Sequence, residues 1–177
     1  MSIARVTHLY SGAMRMRSIE FQLVPHPAAR LAGCATPVMD ILVDDIRFVE
    51  LVRMAELPYA EAEQTERAGE FSPGSAPLLA GDYMSLSSAF GWPSQHFLGS
   101  PRTLPWGGEE GETMLLGCTC GIDECWALMA RITVTPQTVT WSAFRNNCRD
   151  WDLSAMGDFV FSRPQYERSL RKATLQS

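Results

Sequence analysis

Residues 113–120 read Thr-Met-Leu-Leu-Gly-Cys-Thr-Cys, residues 121–124 Gly-Ile-Asp-Glu, residues 125–134 Cys-Trp-Ala-Leu-Met-Ala-Arg-Ile-Thr-Val and residues 137–144 Gln-Thr-Val-Thr-Trp-Ser-Ala-Phe. Two apolar runs flank a short polar turn, and Pro136 marks a second turn before a third run rich in β-branched and aromatic residues. This pattern predicts an antiparallel three-stranded meander over about 113–144. Pleat alternation puts Trp126, Leu128, Ala130, Ile132 and Val134 on one face, and Cys125, Ala127, Met129 and Arg131 on the other.

Working outward, residues 18–24 alternate apolar and polar before Pro25 and read as a strand, and residues 38–43 read as a second. Asp44-Asp45 then supply a turn and helix cap, and residues 46–56 form a short amphipathic helix ended by Pro58. Residues 57–80 are loop-like, with room for a helical turn or two over Ala60–Ala68, and Glu61, Glu63, Glu66 and Glu70 form a solvated face. Gly107-Gly108-Glu109-Glu110-Gly111 lacks the Lys and Ser/Thr of a phosphate loop and reads as a turn. Ser162-Arg163-Pro164 starts a last helix over 164–174. The expected fold class is therefore α+β, an antiparallel sheet with the central meander packed by two or three helices. Residues 1–16 are expected to be a disordered leader, followed by one domain over 17–177.

A chain of 177 residues, 46% hydrophobic and 20% charged, has ordinary globular composition and can bury a core without a staple. Its net charge is −5, and Lys172 is its only lysine. No basic stretch offsets that charge, which argues against nucleic acid or an anionic membrane as partner. No apolar run reaches the ~18–20 residues of a membrane span, and no signal peptide is visible. Five cysteines, an odd number, without an export signal point to reduced thiols in the cytoplasm.

Cys118-x-Cys120-x4-Cys125 is the one local chemical signal. If four residues close a hairpin, Cys120 faces Cys125 and Cys118 shares a face with Cys120. Three readings follow. Small, soft cysteines pack in a core, which is the leading expectation. Alternatively three sulfurs ligate a metal, zinc above all, with Cys148, Asp123 or His96 as fourth ligand. A C-x-C on a strand, however, clamps a metal less well than a C-x2-C knuckle. The third reading is a Cys120–Cys125 disulfide. Outside the cysteines, Arg145, Arg149, Asp150, Trp151 and Asp152 form a polar loop that could bind a partner. No catalytic residue is indicated, since Walker, dinucleotide, Gly-x-Ser-x-Gly and His-Glu-x-x-His motifs are all missing.

Leu116-Gly117-Cys118-Thr119-Cys120-Gly121, then Cys125-Trp126, then Val139-Thr140-Trp141-Ser142-Ala143-Phe144 resembles a group of uncharacterised bacterial proteins. Those proteins carry a Cys-x-Cys-Gly…Cys stretch followed by a Val-x-Trp-x-x-Phe strand, and residues 83–170 share the likeness. The chain is more loosely similar to bacterial toxin-immunity proteins. The missing catalytic motifs, the acidic charge and this loose similarity together point to a non-enzymatic cytoplasmic binding protein, an immunity-type inhibitor, with a protein partner or a second copy of itself. The alternative is a small metal- or thiol-dependent enzyme using Cys118, Cys120 and Cys125.

Overall fold

The computed structural model describes residues 16–25, 37–69, 79–87, 95–101, 104, 107–120 and 125–174. Nine strands form one mixed sheet: β1 (Met16–Arg17), β2 (Ile19–Val24), β3 (Val38–Val43), β4 (Ile46–Arg47), β5 (Tyr83–Ser87), β6 (Glu112–Cys118), β7 (Leu128–Val134), β8 (Thr138–Asn146) and β9 (Phe159–Ser162). Among the described residues two α-helices accompany them, α1 (Phe48–Glu66) and α2 (Arg163–Thr174). The strand order is β1-β9-β8-β7-β6-β5-β3-β2, with β4 paired to β3. Because β1 and β2 are halves of one segment broken at Ser18, the chain itself joins the two ends of that order. The sheet is thereby curled nearly into a barrel.

This overturns the expected α+β layering. The segments expected to stand as a central meander are three neighbours in a larger sheet that extends beyond them on both sides. The sheet is not antiparallel throughout either, since β1 runs parallel to β9, with Met16 opposite Val160. Strand pairing between segments more than 140 residues apart leaves no periodicity in the sequence, so the local pattern could not reveal it. Residues 1–15 of the expected leader lie outside the described residues, and Met16 already belongs to β1.

Asp44 and Asp45 do not cap a helix. Both have positive φ (51° and 65°) and form the two-residue turn of the β3–β4 hairpin, where Val43 pairs with Ile46. Aspartate tolerates that conformation better than most residues, which suits it to this hairpin turn. Asp44 also locks the seam of the barrel: its Oδ1 accepts the Ser18 backbone N–H at 2.9 Å. Helix α1 differs too, for it runs through Pro58. Proline removes one N–H and crowds the carbonyl four residues back. Pro58 is exposed and Met54, four residues earlier, is 60% exposed, so the lost bond falls on the solvent side. The residues after it, expected to be loop, continue the helix because Ala60 extends the buried stripe of Phe48, Val52 and Glu56.

The core is aromatic. Trp141 is fully buried on β8, edge-on to Phe48 of α1 at 5.3 Å and to Phe161 of β9 at 5.2 Å. It also meets Tyr166 of α2 at 6.1 Å and donates its indole N–H to the Tyr166 hydroxyl at 3.2 Å. That hydroxyl in turn donates to the Phe97 carbonyl at 2.6 Å. Trp141 is thus the point at which both helices meet the sheet.

Gly99 ends the short 3₁₀ turn His96–Leu98 with φ of 76°, and a Cβ there would lie 2.7 Å from the Ile132 carbonyl oxygen of β7. A backbone atom of a central strand cannot give way, so Gly99→Ala should cost about 2 kcal/mol from strain and displacement together. Thermal unfolding checks it, and an unchanged midpoint would show the turn to be loosely held.

Candidate metal site

The sulfurs of Cys118, Cys120 and Cys125 all lie within 4.8 Å of one another. Each arrives by a different route. Cys118 is the last residue of β6 and is 8% exposed, and its strand partner is Tyr83 of β5. Cys120 is exposed in the turn after the strand, and its backbone N–H points at the Cys118 sulfur at 3.4 Å. Thr119 between them ties the turn to Asp82 through a 3.1 Å hydrogen bond. Cys125 is exposed just before β7, anchored by the buried Trp126 beside it.

The β6–β7 ladder ends at Leu116 opposite Leu128, well short of the cysteines. Cys120 and Cys125 are therefore not cross-strand partners, and Gly121–Glu124, with the candidate ligand Asp123, lie outside the described residues. Cys118 ends the strand and Cys120 sits in the turn after it, where its N–H addresses the Cys118 sulfur, so the pair is not carried along one extended strand. Core packing accounts for Cys118 alone, because the other two thiols face solvent. Cys118, Cys120, Cys125 and Cys148 are not joined in disulfides. Burial, and then the neighbouring Cys120 thiol, push the Cys118 thiol up to about 12. A cation that replaces the protons removes this repulsion between sulfurs.

Trp126, next to Cys125, and Tyr83, the strand partner of Cys118, open a network of aromatic and polar side chains. Trp126 lies 6.0 Å from Tyr83 and edge-on to Trp151 at 5.7 Å. Tyr83 donates to the Glu56 carboxylate at 2.5 Å and accepts from Asn146 at 2.8 Å. Asn147 clips the segment after Cys125 in place. Its Oδ1 accepts the Ala127 N–H at 2.6 Å, and its own N–H donates to the Ala127 carbonyl at 3.0 Å. Sequence reasoning missed Glu56, Tyr83 and Asn146. Glu56 did leave a signal: it takes a core position in the i, i+4 stripe Phe48, Val52, Glu56, Ala60.

Of the proposed fourth ligands, His96 is not in the group. It is buried against β6, with Nε2 2.6 Å from the Met114 carbonyl, and burial lowers its pKa. Cys148 is near: its thiol donates to the Cys125 carbonyl at 3.1 Å. The polar loop expected to bind a partner is largely turned inward. Arg145 makes a bidentate pair with the buried Glu112 at 2.6–2.7 Å. Arg149 pairs with Glu63 of α1 at 2.9 Å and lies 5.0 Å over the Trp126 ring. Trp151 stacks on Tyr59 at 6.5 Å, while Asp150 and Asp152 are exposed. Trp151 and Asp152 line an open groove of about 320 Å³ with Phe144, Leu153 and Asp158.

No protein-family model, curated protein or solved structure matches this chain. Among the described residues no helix is long and apolar enough to cross a membrane.

Proposed function

We propose that this protein binds one zinc ion through the thiolates of Cys118, Cys120 and Cys125 at the end of the barrel where β6 stops and β7 begins. The convergence of three sulfurs from a turn and two flanking segments carries the reading. Zinc–sulfur bonds of ~2.3 Å at tetrahedral angles place sulfurs ~3.8 Å apart, so the three thiols need to close by about 1 Å at most. An all-sulfur donor set favours a soft or borderline cation over calcium or magnesium, which prefer oxygen. This narrows the second of the two expectations raised by the sequence to metal binding itself. The first, a protein inhibitor, rests on missing catalytic motifs, acidic charge and a loose resemblance, and the arginines of the candidate partner loop are engaged in internal ion pairs.

Elemental analysis of untagged protein purified without chelators should find about one zinc per chain, as expected of a single mononuclear site. A Cys118→Ser/Cys120→Ser double variant should lose it, and the thermal unfolding midpoint of the wild type should fall when the metal is stripped. Metal-free wild type that takes up no added zinc would end this reading and leave Cys118 as core packing with Cys120 and Cys125 as exposed thiols.

A further inference from the structure

The tetrahedron needs a fourth donor, and what supplies it decides what the metal does. A site closed by protein ligands is structural, whereas three ligands and an open position leave room for a bound water and chemistry. We propose that Cys148 is the fourth ligand, so that the metal is a structural clasp fastening the β6–β7 connection to the segment leaving β8. This rests on the zinc reading above and adds to it.

The Cys148 sulfur stands outside the three that lie within 4.8 Å of one another, and three observations argue that it can join them. Its sulfur already lies against the segment that carries the third ligand, 3.1 Å from the Cys125 carbonyl oxygen. That contact is a thiol acting as donor, a weak hydrogen bond that is easily given up. Once the thiol is ionised it has no proton to donate, and the carbonyl oxygen repels it. A change of side-chain rotamer then moves the sulfur by about 3 Å without any movement of the backbone. The backbone beneath it is fixed: the Cys148 N–H donates to Asn146 Oδ1 at 2.7 Å, and Asn146 Nδ2 donates to the Tyr83 hydroxyl at 2.8 Å. Tyr83 is the strand partner of Cys118, so two hydrogen bonds and a strand pairing link the segment of the first ligand to that of the fourth. On the other side, the paired hydrogen bonds between Asn147 and Ala127 hold the Cys148 segment to the Cys125 segment. Two cysteines carried on mutually clipped segments form the rigid scaffold that metal ligands need.

The binding step balances simply. Four thiols release four protons to solvent, four zinc–sulfur bonds form, and no oxidant is required. The product carries two net negative charges at the sulfurs.

Zinc-edge X-ray absorption on the wild-type protein tests the proposal directly. Four sulfurs at ~2.3 Å are expected, and three sulfurs with one nitrogen or oxygen would overturn it while leaving the zinc reading intact. In Cys148→Ser one sulfur should be replaced by a light atom. Zinc affinity should then drop by more than the ~10–100-fold typical of losing a hydrogen-bond partner to a ligand. Four sulfurs retained in that variant would assign the fourth position to Cys34, the remaining cysteine, and overturn the proposal. Should Cys148→Ser fail to fold, alkylation of the zinc-loaded wild type followed by peptide mass mapping decides. Protection of Cys148 with Cys34 reactive supports the clasp, and the reverse pattern overturns it. A wild type without zinc would instead bring down the metal reading itself.

Discussion

Replacing Trp141 by alanine should destabilise the protein by about 4 kcal/mol, the cost of a large aromatic cavity at a site that cannot collapse. Trp141 is fully buried, and its ring is held from three directions by Phe48, Phe161 and Tyr166. Those neighbours belong to α1, β9 and α2, so no single element can move inward to fill the space. The hydrogen bond to Tyr166 adds a second term, but a smaller one. The Tyr166 hydroxyl keeps the Phe97 carbonyl as its acceptor, so losing the indole N–H leaves no buried donor stranded. Trp141→Phe should therefore recover most of the loss by restoring ring volume without the N–H. Urea midpoints at constant slope give both numbers. A cost below about 1 kcal/mol for alanine would mean the two helices are held to the sheet elsewhere.

How much of this could be read from the chain depends on whether the signal was local. The strands at 18–24 and 38–43 showed their alternation or apolar run, and the final helix announced itself with Pro164. The closure of the sheet did not, because Met16 opposite Val160 is a pairing across almost the whole chain. Helix α1 was cut short in the sequence reading because Pro58 is a breaker on average. It is tolerated here because its ring and the unbonded carbonyl lie at the surface. The cysteine group was legible as a motif but its geometry was assigned to the wrong element. Spacing suggested facing strands, whereas β6 ends at Cys118 and β7 begins only at Leu128, so Cys120 and Cys125 lie between the strands with their sulfurs close to that of Cys118. Arg145 and Arg149 looked like a binding surface because their partners, Glu112 and Glu63, lie 33 and 86 residues away. The value of Cys148 depends on a clip between Asn147 and Ala127 that no spacing rule encodes.

Glu56→Ala should cost about 3 kcal/mol at neutral pH, and the wild-type advantage should grow as the pH is lowered. Glu56 is fully buried, and its partners are the Gly81 N–H at 2.8 Å and the Tyr83 hydroxyl at 2.5 Å. Alanine leaves both donors buried without an acceptor, at roughly 1–3 kcal/mol each, partly offset because a costly buried carboxylate is gone. Glutamine offers one acceptor oxygen in place of two and should fall between alanine and wild type. The pH dependence follows from burial, which raises the Glu56 pKa above its ordinary value of 4.5 despite the two hydrogen bonds that lower it. Between 4.5 and that raised value the folded state holds a proton that the unfolded state has released. The difference in bound protons is then negative for unfolding, so stability from this group falls as pH rises through that window. It is fully present below 4.5 and lost above the folded pKa. Glutamine cannot ionise, so the gap between wild type and Glu56→Gln should be larger at pH 4 than at pH 8, a comparison of urea midpoints in the two buffers. A gap that stays constant, or widens with rising pH, would show that Glu56 is charged and compensated throughout. In that case the Tyr83–Asn146 path to Cys148 would be anchored on a carboxylate whose burial costs nothing that titrates.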